Sequence, residues 1–250
     1  LRYANRQFTR YHKGQKDTQI KKISTTRSRP LLIHKMVQKQ KSIILDLDGT
    51  LLDITKRWYI LHLDLAKKYQ FKPYDQKIYV SLKRQRIQEK QIMEGKLPTR
   101  ILQQYLKKRE ALIESEYYLS FDRLKPKAVR LITRLSANHY LYLTTSRTNT
   151  RILNKQLTQM NIRKYFTKVV TGNSLKNREK KLRDIIKSKP AQYFLIGDSE
   201  RDYKLARNLK IKSILVCDGS RSKKSILKLK PDAIFDKISD LNEKYSKVFN

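Results

Sequence analysis

The stretch SIILDLDGTLLD, residues 42–53, constrains this chain more than any other. Ile43, Ile44 and Leu45 form a short apolar run that reads as a buried strand. Asp46 and Asp48 follow directly, and Gly49-Thr50 stops the strand. If the strand ran on, these two carboxylates would share one face, where like charges raise each other's pKa. An arrangement of that kind calls for a cation or a chemical task.

Similar apolar runs recur at 140–144 (YLYLT), 193–197 (YFLIG) and 212–216 (KSILV), with weaker ones at 168–170 and 232–235. Residues at helical spacing separate them: Ala128, Leu131, Ile132 and Leu135, then Ile152, Leu153 and Leu157, then Leu182, Ile185 and Ile186. This alternation predicts an α/β fold, a mostly parallel Rossmann-like sheet covered by helices on both faces. The core is expected over 42–52 and 123–250. Between the first two strands lies a helical insertion, 53–122. Within it, Pro98-Thr99 opens a helix whose single stripe holds Leu102, Tyr105, Leu106, Leu112, Ile113 and Tyr117. An insertion placed there could cover the carboxylates as a lid.

Ligands of open α/β sheets sit at the carboxyl ends of the strands. The first strand ends in Asp46 and Asp48, the second in Thr144, Thr145, Ser146 and Arg147, and the third in Asp198 and Asp202. A lysine-rich turn, 176–181, follows the 168–170 run. Several carboxylates at one sheet edge need a hard cation with oxygen ligands, ordinarily Mg²⁺. Hydroxyls and a lysine facing such a site suit a phosphoryl group.

At these residues the sequence resembles the haloacid dehalogenase superfamily of phosphatases. DLDGTLLD, LTTSR, a lysine before KKLRDII, and IGDSERD match its four motifs in order. The resemblance covers about residues 42–250, and insertion just after the first motif is similar to the family's type-one helical cap. It implies that Asp46 is a nucleophile forming an aspartyl-phosphate and that Asp48 is the general acid and base. It implies that Gly49 makes the turn bringing backbone amides to the phosphate, that Thr145, with Ser146 beside it, binds a phosphate oxygen, and that Lys176 or Lys180 neutralises developing charge. Magnesium would be held by the Asp46 carboxylate, the Asp48 carbonyl and Asp198, with Asp202 in support. The carboxylate at Asp48 places the chain with the phosphotransfer branch rather than the dehalogenating one. Caps of this kind cover small phosphorylated metabolites.

Charge adds a second expectation. The 250 residues carry 58 Lys and Arg against 22 Asp and Glu, a formal net charge of +36. Residues 1–41 supply +11 of it and lack apolar periodicity. They read as an extended basic arm or the remnant of an organelle transit segment, which gives a mitochondrial location, otherwise cytoplasmic. The remaining +25 is spread over the rest of the chain and implies a polyanionic partner, RNA or a ribonucleoprotein. One alternative is therefore a structural RNA-binding subunit of a large assembly such as a mitochondrial ribosome, its inherited site idle. Another is an enzyme that removes phosphate from a nucleic-acid end. No apolar run reaches 18 residues, so no membrane-spanning helix is expected. One cysteine, Cys217, excludes an internal disulfide, and four scattered histidines lack metal spacing.

Overall fold

The computed structural model describes residues 41–189 and 191–249. The basic arm expected over 1–41 lies outside them except for Lys41, which opens the first strand. Strand β1 (Lys41–Asp46) is buried from Ser42 to Asp46. It is the centre of a six-stranded parallel sheet. On one side lie β4 (His139–Thr145) and then β5 (Lys168–Thr171). On the other lie β6 (Gln192–Gly197), β7 (Lys212–Val216) and β8 (Ala233–Phe235). The register sets Asp46 beside Thr144 and Leu45 beside Ile196, so the first, second and third acid- or hydroxyl-bearing strand ends meet at one edge.

Because side chains alternate along a strand, β1 feeds two cores. Ile43 and Leu45 pack with Leu131, Ile132 and Leu135 of α6 (Ala128–Asn138) and Leu153 and Leu157 of α7 (Thr150–Gln159). Ile44 packs on the opposite face with Leu182 and Ile185 of α8 (Leu175–Ser188) and Leu205 and Leu209 of α9 (Glu200–Leu209). Continuous apolar strands without a polar face are what burial on both sides requires.

The two-residue strands β2 (Leu52–Asp53) and β3 (Arg123–Leu124) pair antiparallel just beyond β1. Between them run five helices: α1 (Thr55–Tyr69), α2 (Gln76–Arg84), α3 (Glu89–Met93), α4 (Thr99–Leu112) and α5 (Glu116–Leu119). They have a core of their own, built from Leu61, Leu65, Tyr79, Met93, Leu102 and Tyr105. The single stripe expected across 102–117 is broken. The helix ends at Leu112, and the chain turns through Glu114, whose carboxylate accepts the Thr148 amide at 3.0 Å from the main core. Tyr117 falls on the next helix, 60% exposed, while its neighbour Tyr118 is buried.

Candidate active site

The acid-bearing loop after β1 is a tight turn. Gly49 takes a positive φ of 91° and donates its amide to Leu52 O at 2.9 Å. A side chain here is excluded twice over, because a Cβ on Gly49 or on Gly219 would overlap the Asp198 carboxylate. These glycines let the loops after β1, β6 and β7 close around one acid. The Gly49 amide itself is spent closing this turn.

Asp46, Asp198 and Asp202 converge there, at most 7% exposed, with one carboxylate oxygen from each within 4.8 Å of the others. The Thr50 hydroxyl stands 3.1 Å from Asp46 Oδ2 and 3.2 Å from Asp198 Oδ1. Asp202 also caps α9, accepting from Ser199 N at 3.1 Å and Ser199 Oγ at 2.6 Å, so part of its charge is already used by the helix terminus. Burial, then the charges of Asp202 and Asp198, push Asp46 well above the ordinary carboxylate range. Burial and Asp202 likewise push Asp198 up to about 6. Arg178 opposes this for Asp46 and Asp202.

Such a cluster fits a divalent cation. Oxygens about 2.1 Å from one ion lie at most about 4.2 Å apart, so the observed spacing needs only small shifts. The donors are all hard oxygens, which suit magnesium, and a cation would relieve the repulsion that raises these pKa values.

Asp48 has a different environment two residues on. Arg147 grips it with Nε at 2.8 Å from Oδ2 and a second nitrogen at 2.5 Å from Oδ1, and Arg57 of α1 donates at 3.0 Å. Both arginines also pair with the buried Asp122, at 2.9 and 3.2 Å. Burial alone would raise Asp48, but the two guanidiniums outweigh it and hold the carboxyl far below its usual range. This quartet joins the β1 loop, the β4 loop, the first inserted helix and the segment returning from the insertion.

The expected phosphate ligands are distributed unevenly. Ser146 lines the cavity, whereas Thr145 is buried with its hydroxyl accepting the Arg147 amide at 3.3 Å. Lys176 and Lys180 are exposed on α8, and the cation delivered to the site is Arg178, between them and only 2% exposed. The cause is helix phase. Ser174 caps α8 by accepting Asn177 N at 3.2 Å, which puts Arg178 on the inward stripe with Leu182 and Ile185. Counting back four residues from Leu182 would have found it. Arg57 carried the same signal, four residues before the buried Leu61. Lys125 went unnoticed because its function is long-range: its ammonium reaches Gly49 O and lies 2.8 Å from Asp218 Oδ1.

The site opens into a cavity of about 550 Å³ between core and insertion. The insertion lines it with Arg57, Trp58, Lys83, Ile87, Glu89 and Arg109. Glu89 is 8% exposed and accepts Tyr105 Oη at 2.6 Å, Tyr79 Oη at 2.9 Å and Lys83 Nζ at 3.0 Å, with Arg109 Nε 3.2 Å away. Burial would raise Glu89, yet Arg109, Lys83 and the Tyr105 hydroxyl bring it down to about 2. The insertion is seated on the core by Arg84, which donates to Cys217 O at 2.8 Å and accepts Ser222 N at 2.9 Å.

Fold and site together define a class: an α/β protein with its acidic centre at the carboxyl ends of parallel strands and a helical insertion above it. The family model for haloacid dehalogenase-like hydrolases matches residues 43–216, and the chain belongs to that family. A haloacid dehalogenase-like family hydrolase from Streptococcus pneumoniae superposes with a TM-score of 0.70 at 18% identity, covering 82% of this chain and 98% of its own. A predicted phosphoglycolate phosphatase from Haemophilus somnus gives 0.66 at 19%, covering 83% and 98%. A predicted phosphatase from Clostridium acetobutylicum gives 0.64 at 17%, covering 83% and 99%. At these identities the likeness is one of fold. No curated protein sequence matches the chain.

Proposed function

We propose that the chain is a magnesium-dependent phosphomonoester hydrolase working through an aspartyl-phosphate on Asp46. The observation that carries this is the buried Asp46–Asp198–Asp202 cluster opening into a cavity that Arg178 also lines. Asp46, Asp198 and Asp202 would hold magnesium, which when bound supplies positive charge against the repulsion between nucleophile and phosphate. A carboxylate oxygen of Asp46 attacks phosphorus, and the bond to the leaving oxygen breaks as that oxygen takes a proton from solvent, because Asp48, expected to be the acid, is held ionised by its two arginines. Asp48 then accepts a proton from water as the water oxygen attacks phosphorus and the Asp46–phosphorus bond breaks. Its ionised state, enforced by Arg57 and Arg147, suits it to that step. Arg178 faces the charge that develops on the phosphoryl oxygens. The polar cavity, closed on one side by the insertion, favours a small phosphorylated molecule as substrate.

An aryl phosphate is the appropriate probe because its leaving group departs without much help from a proton. With magnesium the purified protein hydrolyses it, and Asp46→Asn lowers turnover by at least about 10³-fold while the variant still melts cooperatively as a folded protein. A wild-type protein inert towards a broad phosphate panel in the presence of magnesium defeats the reading.

A second reading rests on the +25 net charge outside residues 1–41. It makes the protein a companion of RNA or of a ribonucleoprotein, the mitochondrial ribosome among them, and it is compatible with a working site.

A further inference from the structure

Both helical layers of the core are basic, but the layer of α8 and α9 exposes the denser array of cations. Helices α8 and α9 bury their apolar residues against the sheet and turn Lys180, Arg183, Lys187, Lys204 and Arg207 outwards, with Lys210 exposed at the end of α9. The exposed acid on these two helices is Asp184; Glu179 and Glu200 are partly buried and paired, with Arg183 and Arg221. The helices are stitched into one surface: Arg183 donates to Asn208 O at 2.6 Å, and Asn208 donates to Glu179 at 2.7 Å. On the other layer, α6 and α7 expose Arg130, Arg134, Arg151 and Lys155. Two of those are engaged, Arg134 with Asn242 O at 2.7 Å and Lys155 with Glu116.

We infer that the α8–α9 face is a docking surface for the phosphate backbone of a nucleic acid, held by charge and not by base sequence. The inference rests on the second reading above and locates it. Residues three and four apart on a helix have Cβ atoms about 5–6 Å from each other, and neighbouring helices pack about 8–10 Å apart. The face is therefore a two-dimensional array of positive charge, which matches a polyanion rather than a single phosphate. A membrane surface is the poorer fit, because binding there pairs basic residues with exposed apolar ones. The large apolar side chains that the described residues expose, Ile78, Tyr117, Val129 and Leu227, lie on other elements. Phosphates repeat along any sequence and carry no base information, so binding by such an array is not sequence-specific.

The experiment compares the full chain with two fourfold variants that remove the same charge. One carries Lys187→Gln, Lys204→Gln, Arg207→Gln and Lys210→Gln; the other carries Lys67→Gln, Lys68→Gln, Lys107→Gln and Lys108→Gln on the insertion, where all four lysines are also exposed. Affinity for a hairpin RNA is measured across roughly 50 to 200 mM salt, where each lost phosphate contact flattens the log–log slope by about 0.7–0.9. The face variant flattens the slope by about 3 and weakens binding at least tenfold at the low-salt end; the insertion variant changes little. Aryl phosphatase activity and melting temperature stay at wild-type values in both. Equal losses in the two variants, or vesicles containing phosphatidylserine displacing the RNA from wild type, overturn the assignment of the face. A full chain that ignores RNA at low salt overturns the second reading itself, while leaving the hydrolase reading untouched.

Discussion

The core and the insertion each bury a cluster of charges against the same cavity, and the two are opposite in balance. In the core, Asp46, Asp198 and Asp202 meet Arg178, and the nearby Lys125 is already engaged by Gly49 O and Asp218. In the insertion, Glu89 alone faces Lys83 and Arg109 and takes two tyrosine hydroxyls as well. One cluster is short of positive charge and the other has a surplus. Their titration follows: Asp198 is pushed up to about 6, Glu89 down to about 2. The lesson is that burial does not fix the fate of a carboxylate; its neighbours do. A cluster left short of cations is built to receive one, and a cluster with its cations supplied is built to hold a shape.

The same chemical change, acid to amide, should therefore act with opposite sign in the two places. Glu89→Gln leaves Lys83 and Arg109 sharing a buried site without their counterion, and breaking a buried pair in this way costs about 3–5 kcal/mol. Denaturant unfolding reads the loss, and hydrogen exchange should place it in α2–α4. A change under about 1 kcal/mol would mean that the cluster relaxes into solvent and that the comparison is overdrawn.

Acid offers a second, slightly smaller probe of the insertion. His62 is fully buried, stacks on Tyr79 with ring centroids 4.2 Å apart, and accepts the Tyr74 amide at 3.1 Å through Nε2. Burial brings it down to about 4, with Lys96 and Arg109 adding to the effect against the pull of Glu89. Its folded pKa is below the unfolded one, so the unfolded chain takes up the proton first. Stability is then full above about pH 6.5 and falls as pH drops towards 4, by up to about 3 kcal/mol. His62→Phe should flatten this part of the stability–pH curve. An unaltered slope in the variant would move the pH dependence to other groups.

The smallest effect belongs to the core. Asp198→Asn removes one of three crowded carboxylates and should stabilise the metal-free protein by about 1 kcal/mol. In exchange, the rise in melting temperature on adding magnesium should vanish. A variant less stable than wild type in chelator, or one that still responds fully to magnesium, would show that this cluster does not await a cation.

Strands, layer order and the four aspartates were legible because each rests on local pattern. Apolar runs marked β1, β4, β6 and β7; Asp46 and Asp198 follow directly on two of them, and Asp48 and Asp202 stand two and four residues further on. What escaped was helix rotation and partnership across the chain. The lysines at 176 and 180 drew attention as residue types, while the phase of α8 delivered Arg178. The Asp48–Arg147–Asp122–Arg57 quartet spans 99 residues from Asp48 to Arg147, and no spacing rule joins members so far apart. The length of α4 was overread for a related reason: apolar periodicity persists through Ile113 and Tyr117, but the pull of Glu114 on the β4 loop ends the helix first.

The pairing of β2 with β3 has a consequence for how this chain could be rebuilt. Asp53 sits directly across from Arg123, so the insertion leaves and re-enters the core at neighbouring points. Antiparallel strands at that spacing can be joined by a two-residue hairpin turn such as Asn-Gly. The helices between them are thus a detachable module: a shortened gene joining Asp53 to Arg123 through such a turn would keep the six-stranded sheet whole, and helices from another source could be spliced in at the same seam.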